Sequence, residues 1–199
     1  LGGDERIYPA SMTKIMTALL TIENLPDLNE TITVPEDIFE ELTAQDASVA
    51  GFNPYEQPTV RDLLYGVLLP SGADACETLA RAVGGSEEGF VAMMNQKAEE
   101  LGLTNTHFEN CTGLHNDNHY STCRDIAVLM SECLKSDTFR EIVTREVYTT
   151  EATASHPEGI TLYDTMLHRF TSYEMSTTLE NGAVIEGCLL YTSPSPRDS

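Results

Sequence analysis

Residues 8–20 read YPASMTKIMTALL and carry the clearest helix signal in the chain. Apolar side chains recur there every three or four residues, which is the spacing of one helix face. The pattern therefore predicts a helix over residues 11–25, because a proline stands on either side of it. The residues that carry this prediction are Pro9, Ile15, Ala18, Leu19, Ile22 and Pro26.

The first turn of this predicted helix holds a possible nucleophile and base. Ser11 and Lys14 stand three residues apart, so their side chains share a face and can touch. A serine hydroxyl becomes a good nucleophile when a base takes its proton, and a lysine is such a base when burial lowers its pKa. The free N–H groups of a helix N-terminus favour the resulting oxyanion. The spacing alone is equally consistent with a helix cap followed by a solvated lysine.

The rest of the chain reads as helix-rich with strands at the edges. Capping residues and apolar spacing predict helices over 59–70, 74–83, 86–102, 122–134 and 136–142. Alternating residues predict strands over 30–34, 146–150 and 183–186. Residues 36–57 are acidic and aperiodic, which predicts a surface excursion with at most one helical turn.

Composition excludes several classes of protein. The 199 residues are 41% hydrophobic, as in a folded soluble domain, and no apolar run reaches the length of about 18 residues that a membrane span needs. The net charge of −21 repels phosphate backbones, so a nucleic-acid partner is disfavoured. Five cysteines without a C-x-x-C pair argue against a disulfide framework.

Both ends of the chain predict an incomplete protein. The chain starts at Leu1 and reaches a helix start by Ser11, which leaves no room for a leader or an opening strand, so we expect a missing N-terminal piece. Residues 188–199 read CLLYTSPSPRDS and resemble the translation of a transposase adaptor from sequencing libraries. We expect this tail to be non-native and exclude it from the fold.

Three stretches carry a family resemblance. Residues 8–20 resemble the nucleophile helix of low-molecular-mass penicillin-binding proteins, the serine D-Ala-D-Ala carboxypeptidases. LLPSGADA at residues 68–75 resembles the second motif of that family, Ser-x-Asn, on a turn between two helices. NCTGL at residues 110–114, followed by HYST at 119–122, is similar to a structural stretch of the group. The resemblance covers residues 7–187.

The resemblance implies an α+β fold of the β-lactamase/DD-peptidase type, in which a helical subdomain packs on an antiparallel sheet. We expect residues 1–187 to form a partial catalytic domain that keeps the helices and lacks most of the sheet. The third family motif, Lys-Thr-Gly, is absent, although NGAVIEG at residues 181–187 is similar to the approach to it. That strand supplies a substrate-gripping cation and an oxyanion donor in the family. Losing one such donor costs about 3–4 kcal/mol, so we expect the 199-residue chain to fold poorly and to be nearly inactive.

The resemblance also implies roles for individual residues. Ser11 would form the acyl-enzyme, Lys14 would accept its proton, and Ser71 would relay a proton to the leaving D-alanine. Gly72 and Ala73 would adjoin the substrate. Ala73 stands where the family usually has an asparagine, whose amide holds the substrate's carbonyl and the lysine. Its absence leaves Ser71 usable and removes that contact.

The function implied is removal of the terminal D-alanine from peptidoglycan stem pentapeptides, outside the cytoplasmic membrane. β-Lactam antibiotics would acylate the same serine, no metal or organic cofactor would be needed, and membrane attachment would lie in a missing C-terminal region. One alternative is a class A β-lactamase, which would need a Ser-Asp-Asn turn and a deacylating glutamate. Another is a non-catalytic penicillin- or muropeptide-binding relative, in which Ala73 reflects lost turnover.

Other reactive residue types have simpler interpretations. Four candidate metal ligands stand four residues apart, but Gly113 and the run at residues 116–118 favour a loop with surface histidines and one buried cysteine over a helical metal stripe. Three further cysteines are expected to pack in the core. An acidic cluster is expected to be a solvated face, and nothing else supports a paired-carboxylate hydrolase. These three sets are His107, Cys111, His115 and His119; Cys76, Cys123 and Cys133; and Glu36, Asp37, Glu40 and Glu41.

Overall fold

The computed structural model describes residues 2–165. Within this range the chain forms helices joined by short loops, with two small antiparallel sheets. A 3-10 turn, Ala10–Met12, leads into the first helix. The elements in chain order are β1 (Arg6–Ile7), α1 (Thr13–Asn24), α2 (Ile38–Ala44), α3 (Val60–Leu68), α4 (Ala73–Gly84), α5 (Glu87–Glu100), β2 (Ser121–Thr122), α6 (Cys123–Cys133), α7 (Asp137–Val143), β3 (Val147–Thr149) and β4 (Thr161–Tyr163).

Helix α1 forms the centre of the core. It packs against α3, α4, α5, α6 and α7, and its residues 13–21 are all buried. A helix buried on every side needs partners for its polar side chains. Thr17 Oγ1 donates to the carbonyl of Cys111 over 2.7 Å, and Thr21 Oγ1 donates to the carbonyl of Thr17 over 2.8 Å. The predicted helix is thus confirmed, with Ser11 in the preceding 3-10 turn.

The predicted N-caps are confirmed where the structure describes them. The Thr59 hydroxyl accepts from the backbone N–H of Asp62, and the Asp62 carboxylate accepts from that of Thr59 in return. Ser86, Thr122 and Ser136 likewise cap α5, α6 and α7. These side chains satisfy N–H groups that a helix cannot bond internally, so each start is encoded locally.

Two predictions about residues 30–57 are wrong. The predicted strand over 30–34 is reduced to one isolated bridge, Thr31 with Thr59. Ile32 N–H does donate to the carbonyl of Pro58, but proline has no N–H to continue the ladder. The supposed excursion contains the seven-residue helix α2, which is anchored by the buried side chains of Ile38 and Leu42. Two apolar residues one turn apart are too short a pattern to recognise in sequence.

The prediction that there is no room for a strand before Ser11 is also wrong. Residues 6 and 7 form β1, which pairs antiparallel with β2 through Arg6 with Thr122 and Ile7 with Ser121. Arg124 forms an ion pair with Asp4 across this pair, with Nε 2.6 Å from Oδ1. A two-residue strand is stabilised by its distant partner, which no local pattern reveals.

The second sheet is the hairpin of β3 and β4. Tyr148 in β3 stacks on Tyr65 of α3, with ring centroids 3.7 Å apart, and its hydroxyl donates to Asp62 over 2.9 Å. The loop between the strands is held by buried Glu56, whose carboxylate binds His156 Nδ1 at 2.7 Å and the Thr153 hydroxyl at 2.5 Å. The predicted strand near residue 148 is confirmed.

None of the helices in the described range combines the length and the hydropathy that a membrane crossing requires. The predicted strand over 183–186 and the adaptor-like tail lie outside the described residues.

Candidate active site

Three side chains that the sequence singled out meet at one point. The hydroxyl of Ser71 donates to Ser11 Oγ over 2.9 Å, and Lys14 Nζ lies 3.3 Å from the same oxygen. Ser11 comes from the 3-10 turn that leads into α1 and Lys14 from the first turn of α1, whereas Ser71 comes from the turn between α3 and α4. The Ser11 hydroxyl therefore has two groups able to take or return a proton within hydrogen-bond reach.

Lys14 is buried, with 4% of its surface exposed. Burial lowers the pKa of its amine, against the opposing influence of Cys76, Cys111 and Asp74. The amine also lies 2.5 Å from the carbonyl oxygen of Thr112. A neutral amine that donates to this carbonyl can turn its lone pair toward Ser11, which is the arrangement a general base needs.

The turn that carries Ser71 has an unusual backbone. Ser71 adopts a φ of +62°, in the left-handed region that side-chain-bearing residues rarely occupy. The following residue, Gly72, donates its N–H to the carbonyl of Gly66 over 2.8 Å. A Cβ at Gly72 would lie 2.7 Å from both Cβ and N of Ala50, so glycine is required for this close approach.

Asp74 holds a neighbouring loop against this turn. Its buried carboxylate accepts the backbone N–H groups of Ala50, Gly51 and Phe52, at 2.7, 3.0 and 3.1 Å. Burial raises the pKa of Asp74, and these hydrogen bonds oppose the rise. Asp74 stands in the SGADA motif, and the motif itself predicts no role for it. An acidic residue in the first turn of a helix is usually a cap, so its long-range role had no distinct signal.

An open cleft of about 560 Å³ lies against Ser11 and Lys14, a size suited to a small peptide. Ser11, Lys14 and Ala73 line it, together with Ser48 and Thr112 from two loops. Ala73 presents a methyl group that is 2% exposed, where an asparagine would present an amide. Gly72, the residue before Ala73, packs against Ala50.

The loop over residues 107–120 borders the other side of the cleft. It bears Thr112 and Gly113, which belong to the NCTGL stretch predicted to be structural. Gly113 has a φ of +85°, and a Cβ there would lie 1.9 Å from the carbonyl oxygen of Ala10. The loop backbone therefore lies directly against the turn that carries Ser11, which sequence spacing alone could not show.

The three histidines and the cysteine that stand four residues apart lie in this loop and not on a helix, as predicted. The expectation of surface histidines is wrong for His119, which is 2% exposed, while Cys111 is buried as expected. Cys76 and Cys133 are buried, but the prediction of core packing is wrong for Cys123, which is exposed. Cys123 is the first residue of α6 and is exposed to solvent, although the N-cap residue before it, Thr122, is buried. The acidic set at residues 36–41 is exposed, as predicted.

One cluster could in principle hold a cation. Glu77, Glu87 and Cys111 place one ligand atom each within 4.8 Å of one another. Burial and the neighbouring Glu87 raise the pKa of Glu77 to about 8, so a proton serves to relieve the repulsion between the two carboxylates. Arg81 Nε lies 3.8 Å from Glu77 and supplies positive charge as well.

A serine hydroxyl in reach of a buried lysine three residues later, and of a second serine from another helix turn, is the arrangement that serine acyl transfer requires. The comparisons with known proteins agree with this class. The family model described as D-alanyl-D-alanine carboxypeptidase, peptidase S11, matches residues 2–173. The chain belongs to this family.

Individual relatives carry the same description. The chain is 41% identical to the D-alanyl-D-alanine carboxypeptidase DacF of Bacillus subtilis, over 75% of this chain and 39% of that protein. It is 34% identical to the D-alanyl-D-alanine carboxypeptidase of Streptomyces sp. K15, over 96% of this chain and 69% of that protein. The chain thus spans well under half of the Bacillus relative.

Solved structures confirm the α+β fold predicted from the resemblance. The Streptomyces K15 DD-transpeptidase superposes with a TM-score of 0.76 at 35% identity, over 82% of this chain and 66% of that one. Penicillin-binding protein 6B from Escherichia coli gives a TM-score of 0.72 at 29% identity, over 81% and 51% of the two chains.

Proposed function

We propose that residues 1–187 are part of a longer serine D-alanyl-D-alanine carboxypeptidase. The observation that carries the proposal is the meeting of Ser71 Oγ and Lys14 Nζ on Ser11 Oγ, at 2.9 and 3.3 Å, beside an open cleft. Membership of the family supports it. The substrate would be a peptidoglycan stem pentapeptide ending in D-Ala-D-Ala.

In the first half-reaction, Lys14 takes the hydroxyl proton while Ser11 Oγ bonds to the carbonyl carbon of the penultimate D-alanine. The negative charge that develops on the carbonyl oxygen is met by the Ser11 N–H, at the positive end of α1. Ser71, hydrogen-bonded to Ser11, then relays the proton to the nitrogen of the terminal D-alanine as the peptide bond breaks. An ester to Ser11 remains.

In the second half-reaction, water attacks the ester carbonyl and gives up a proton to the same relay. The C–O bond to Ser11 breaks, Oγ regains its proton, and the shortened peptide leaves. A β-lactam ring opened by the same attack keeps its leaving nitrogen tethered, so β-lactams are expected as slow acylating ligands. We place this chemistry outside the cytoplasmic membrane, where peptidoglycan is found, with membrane attachment elsewhere in the longer protein and no nucleic-acid partner.

Ala73 favours a second candidate, a penicillin- or muropeptide-binding relative that acylates without turnover. The amide that the family usually places there is missing, and the site keeps the nucleophile, base and second serine. The two candidates differ in deacylation, so one experiment separates them.

The test uses the full-length protein, fluorescent penicillin and a D-Ala-D-Ala pentapeptide. We expect labelling of Ser11 and release of one D-alanine per peptide, and loss of both in Ser11→Ala. Ser131→Ala, at an exposed serine on α6, is the matched control and should behave like the wild type. Labelling without D-alanine release would favour the binding relative, while labelling that survives in Ser11→Ala would overturn the proposed site.

A further inference from the structure

His119 has a fixed tautomer at the base of the loop that borders the cleft. Its Nδ1 accepts the backbone N–H of Glu109 over 3.1 Å, next to the bridge between His107 and Tyr120 that closes the loop. A backbone N–H can only donate, so Nδ1 carries no proton. The proton of the neutral imidazole is therefore on Nε2.

That proton points at the nucleophile turn. His119 Nε2 lies 2.7 Å from Thr13 Oγ1, and both side chains are buried, with 2% and 0% of their surface exposed. The ring is also held edge-on against Phe108, with centroids 5.6 Å apart. Thr13 stands between Ser11 and Lys14 in the chain. One imidazole thus joins the base of the loop to the turn that carries the nucleophile and the base.

The same loop orients the lysine. Thr112, seven residues before His119, offers the carbonyl that lies 2.5 Å from Lys14 Nζ. Gly113 lies against the carbonyl of Ala10 with no room for a side chain. A shift of this loop would move the Thr112 carbonyl away and let water reach the amine, which among the described residues would keep only the 3.3 Å contact with Ser11 Oγ.

We propose that His119 is a positioning residue for the acylation of Ser11, acting through Thr13 and through the loop that holds the Thr112 carbonyl against Lys14. This inference rests on the proposed function for its catalytic consequence. Independently of catalysis, the proposal states that His119 sets the environment of Lys14 and therefore its protonation.

The surrounding charges are consistent with this role. Burial, with smaller contributions from His107 and His115, lowers the pKa of His119 to about 4, so the imidazole stays neutral near pH 7. The ionisable groups that face Lys14 are Cys76 and Asp74 from α4 and Cys111 from the loop. Cys76 and Asp74 lie on α4 and stay in place when His119 is replaced, whereas Cys111 belongs to the loop, so a change in Lys14 reports on the loop.

Two substitutions separate the two hydrogen bonds of His119. In His119→Asn, Oδ1 takes the place of Nδ1 and accepts from Glu109, but the side chain is too short to reach Thr13. In His119→Gln, the side-chain amide reaches the Thr13 hydroxyl as Nε2 does, but the backbone N–H of Glu109 loses its acceptor. Thr13→Val removes the hydroxyl without changing the volume of the side chain.

In the full-length protein, we expect His119→Asn and Thr13→Val to slow acylation of Ser11 by penicillin about 10- to 100-fold, as misplacement of a catalytic group does. His119→Gln should stay within about threefold of the wild type. The double variant His119→Asn/Thr13→Val should be no slower than Thr13→Val, since both changes remove one contact. Acylation within threefold of the wild type in both His119→Asn and Thr13→Val would overturn the proposal, as would additive losses in the double variant.

An NMR titration with ¹³C-labelled lysine measures the pKa of the Lys14 amine. This pKa would not change if His119 only stabilised the fold. We expect the pKa of Lys14 to rise toward its ordinary range in His119→Asn and to hold in His119→Gln. His156→Asn is the matched control, because it makes the same change at a histidine whose partner Glu56 lies outside the site, and it should leave Lys14 unchanged. An unchanged Lys14 titration in folded His119→Asn would contradict the inference.

The titration also separates this inference from the proposed function. If the wild type is not acylated, the proposed function fails, and the Lys14 titration alone decides the role of His119. If His119→Asn does not fold, Thr13→Val decides by the same two measurements.

Discussion

Ser71 donates a hydrogen bond to Ser11 across 2.9 Å, although 60 residues separate the two serines in the chain. The contact depends on the left-handed backbone of Ser71, at φ +62°, which turns its side chain out of the α3–α4 connection. A non-glycine residue in this conformation costs about 1–2 kcal/mol, so the site stores strain at the second serine.

Relieving the backbone strain at residue 71 should stabilise the protein, while loss of the Ser71 hydroxyl should reduce acylation. We expect Ser71→Gly to be about 1 kcal/mol more stable than Ser71→Ala in urea unfolding, because only glycine relaxes at a positive φ. Both variants should lose most acylation by labelled penicillin. Equal stabilities for the two variants would show that the backbone at residue 71 is not strained.

Gly113 should tolerate no side chain. We expect Gly113→Ala to destabilise the protein by about 2–4 kcal/mol, since its Cβ would meet the Ala10 carbonyl at 1.9 Å in addition to the strained φ. Gly102→Ala is the control, because Gly102 also has a positive φ, of +70°, but open space around it. Gly102→Ala should cost only about 1 kcal/mol, and similar losses at both positions would exclude the close approach of the loop.

Burial of Lys14 should make stability depend on pH. The folded-state pKa lies below the ordinary 10.5, so between these two values the unfolded chain binds more protons than the folded one. Stability contributed through Lys14 therefore rises with pH across that window, by at most about 1.4 kcal/mol per pH unit. The difference in urea-unfolding stability between the wild type and Lys14→Met should follow this slope from pH 7 to 10, because both proteins share the buried thiols and carboxyl whose raised pKa values act in the opposite direction.

The control for that slope is Lys97, whose ammonium lies 2.9 Å from Glu23 and whose pKa is raised by that contact. Its contribution is full below the ordinary pKa and declines as pH rises through the folded value. Lys97→Met should therefore keep the rise between pH 7 and 10. Parallel stability profiles for the wild type and Lys14→Met would contradict a depressed pKa for Lys14.

Ala73 should limit the reaction. We expect Ala73→Asn to raise kcat/KM for the pentapeptide by up to about tenfold, because one added hydrogen bond to the substrate's carbonyl contributes about 0.5–1.5 kcal/mol. Ala73→Leu has a similar volume without the amide and should give no increase. An equal response to both substitutions would assign the effect to the shape of the cleft.

The helices were predictable because their signals are local. Ser86 and Ser136 cap the N–H groups three residues ahead, and the apolar face of α1 repeats within one turn. Helix α2 and the two-residue strand β1 were missed because their stability comes from buried contacts with distant parts of the chain.

The catalytic candidates divide in the same way. Ser11 and Lys14 could be paired from spacing, since a helix brings residues three apart onto one face. Ser71 was found through resemblance, and no spacing rule brings it to Ser11. His119 was taken for a surface residue because a histidine in a polar loop has no local mark of burial.

The sequence by itself determined that a helix follows Pro9, that Ser11 and Lys14 share a face near its start, and that the chain is strongly acidic. Only the tertiary structure decided that Lys14 is buried enough to be a base, that Ser71 reaches Ser11 while the Thr112 carbonyl reaches Lys14, and that His119 joins the bordering loop to Thr13. Desolvation and hydrogen bonds between segments about a hundred residues apart depend on how the helices pack, and packing is a property of the whole fold that short-range patterns do not contain.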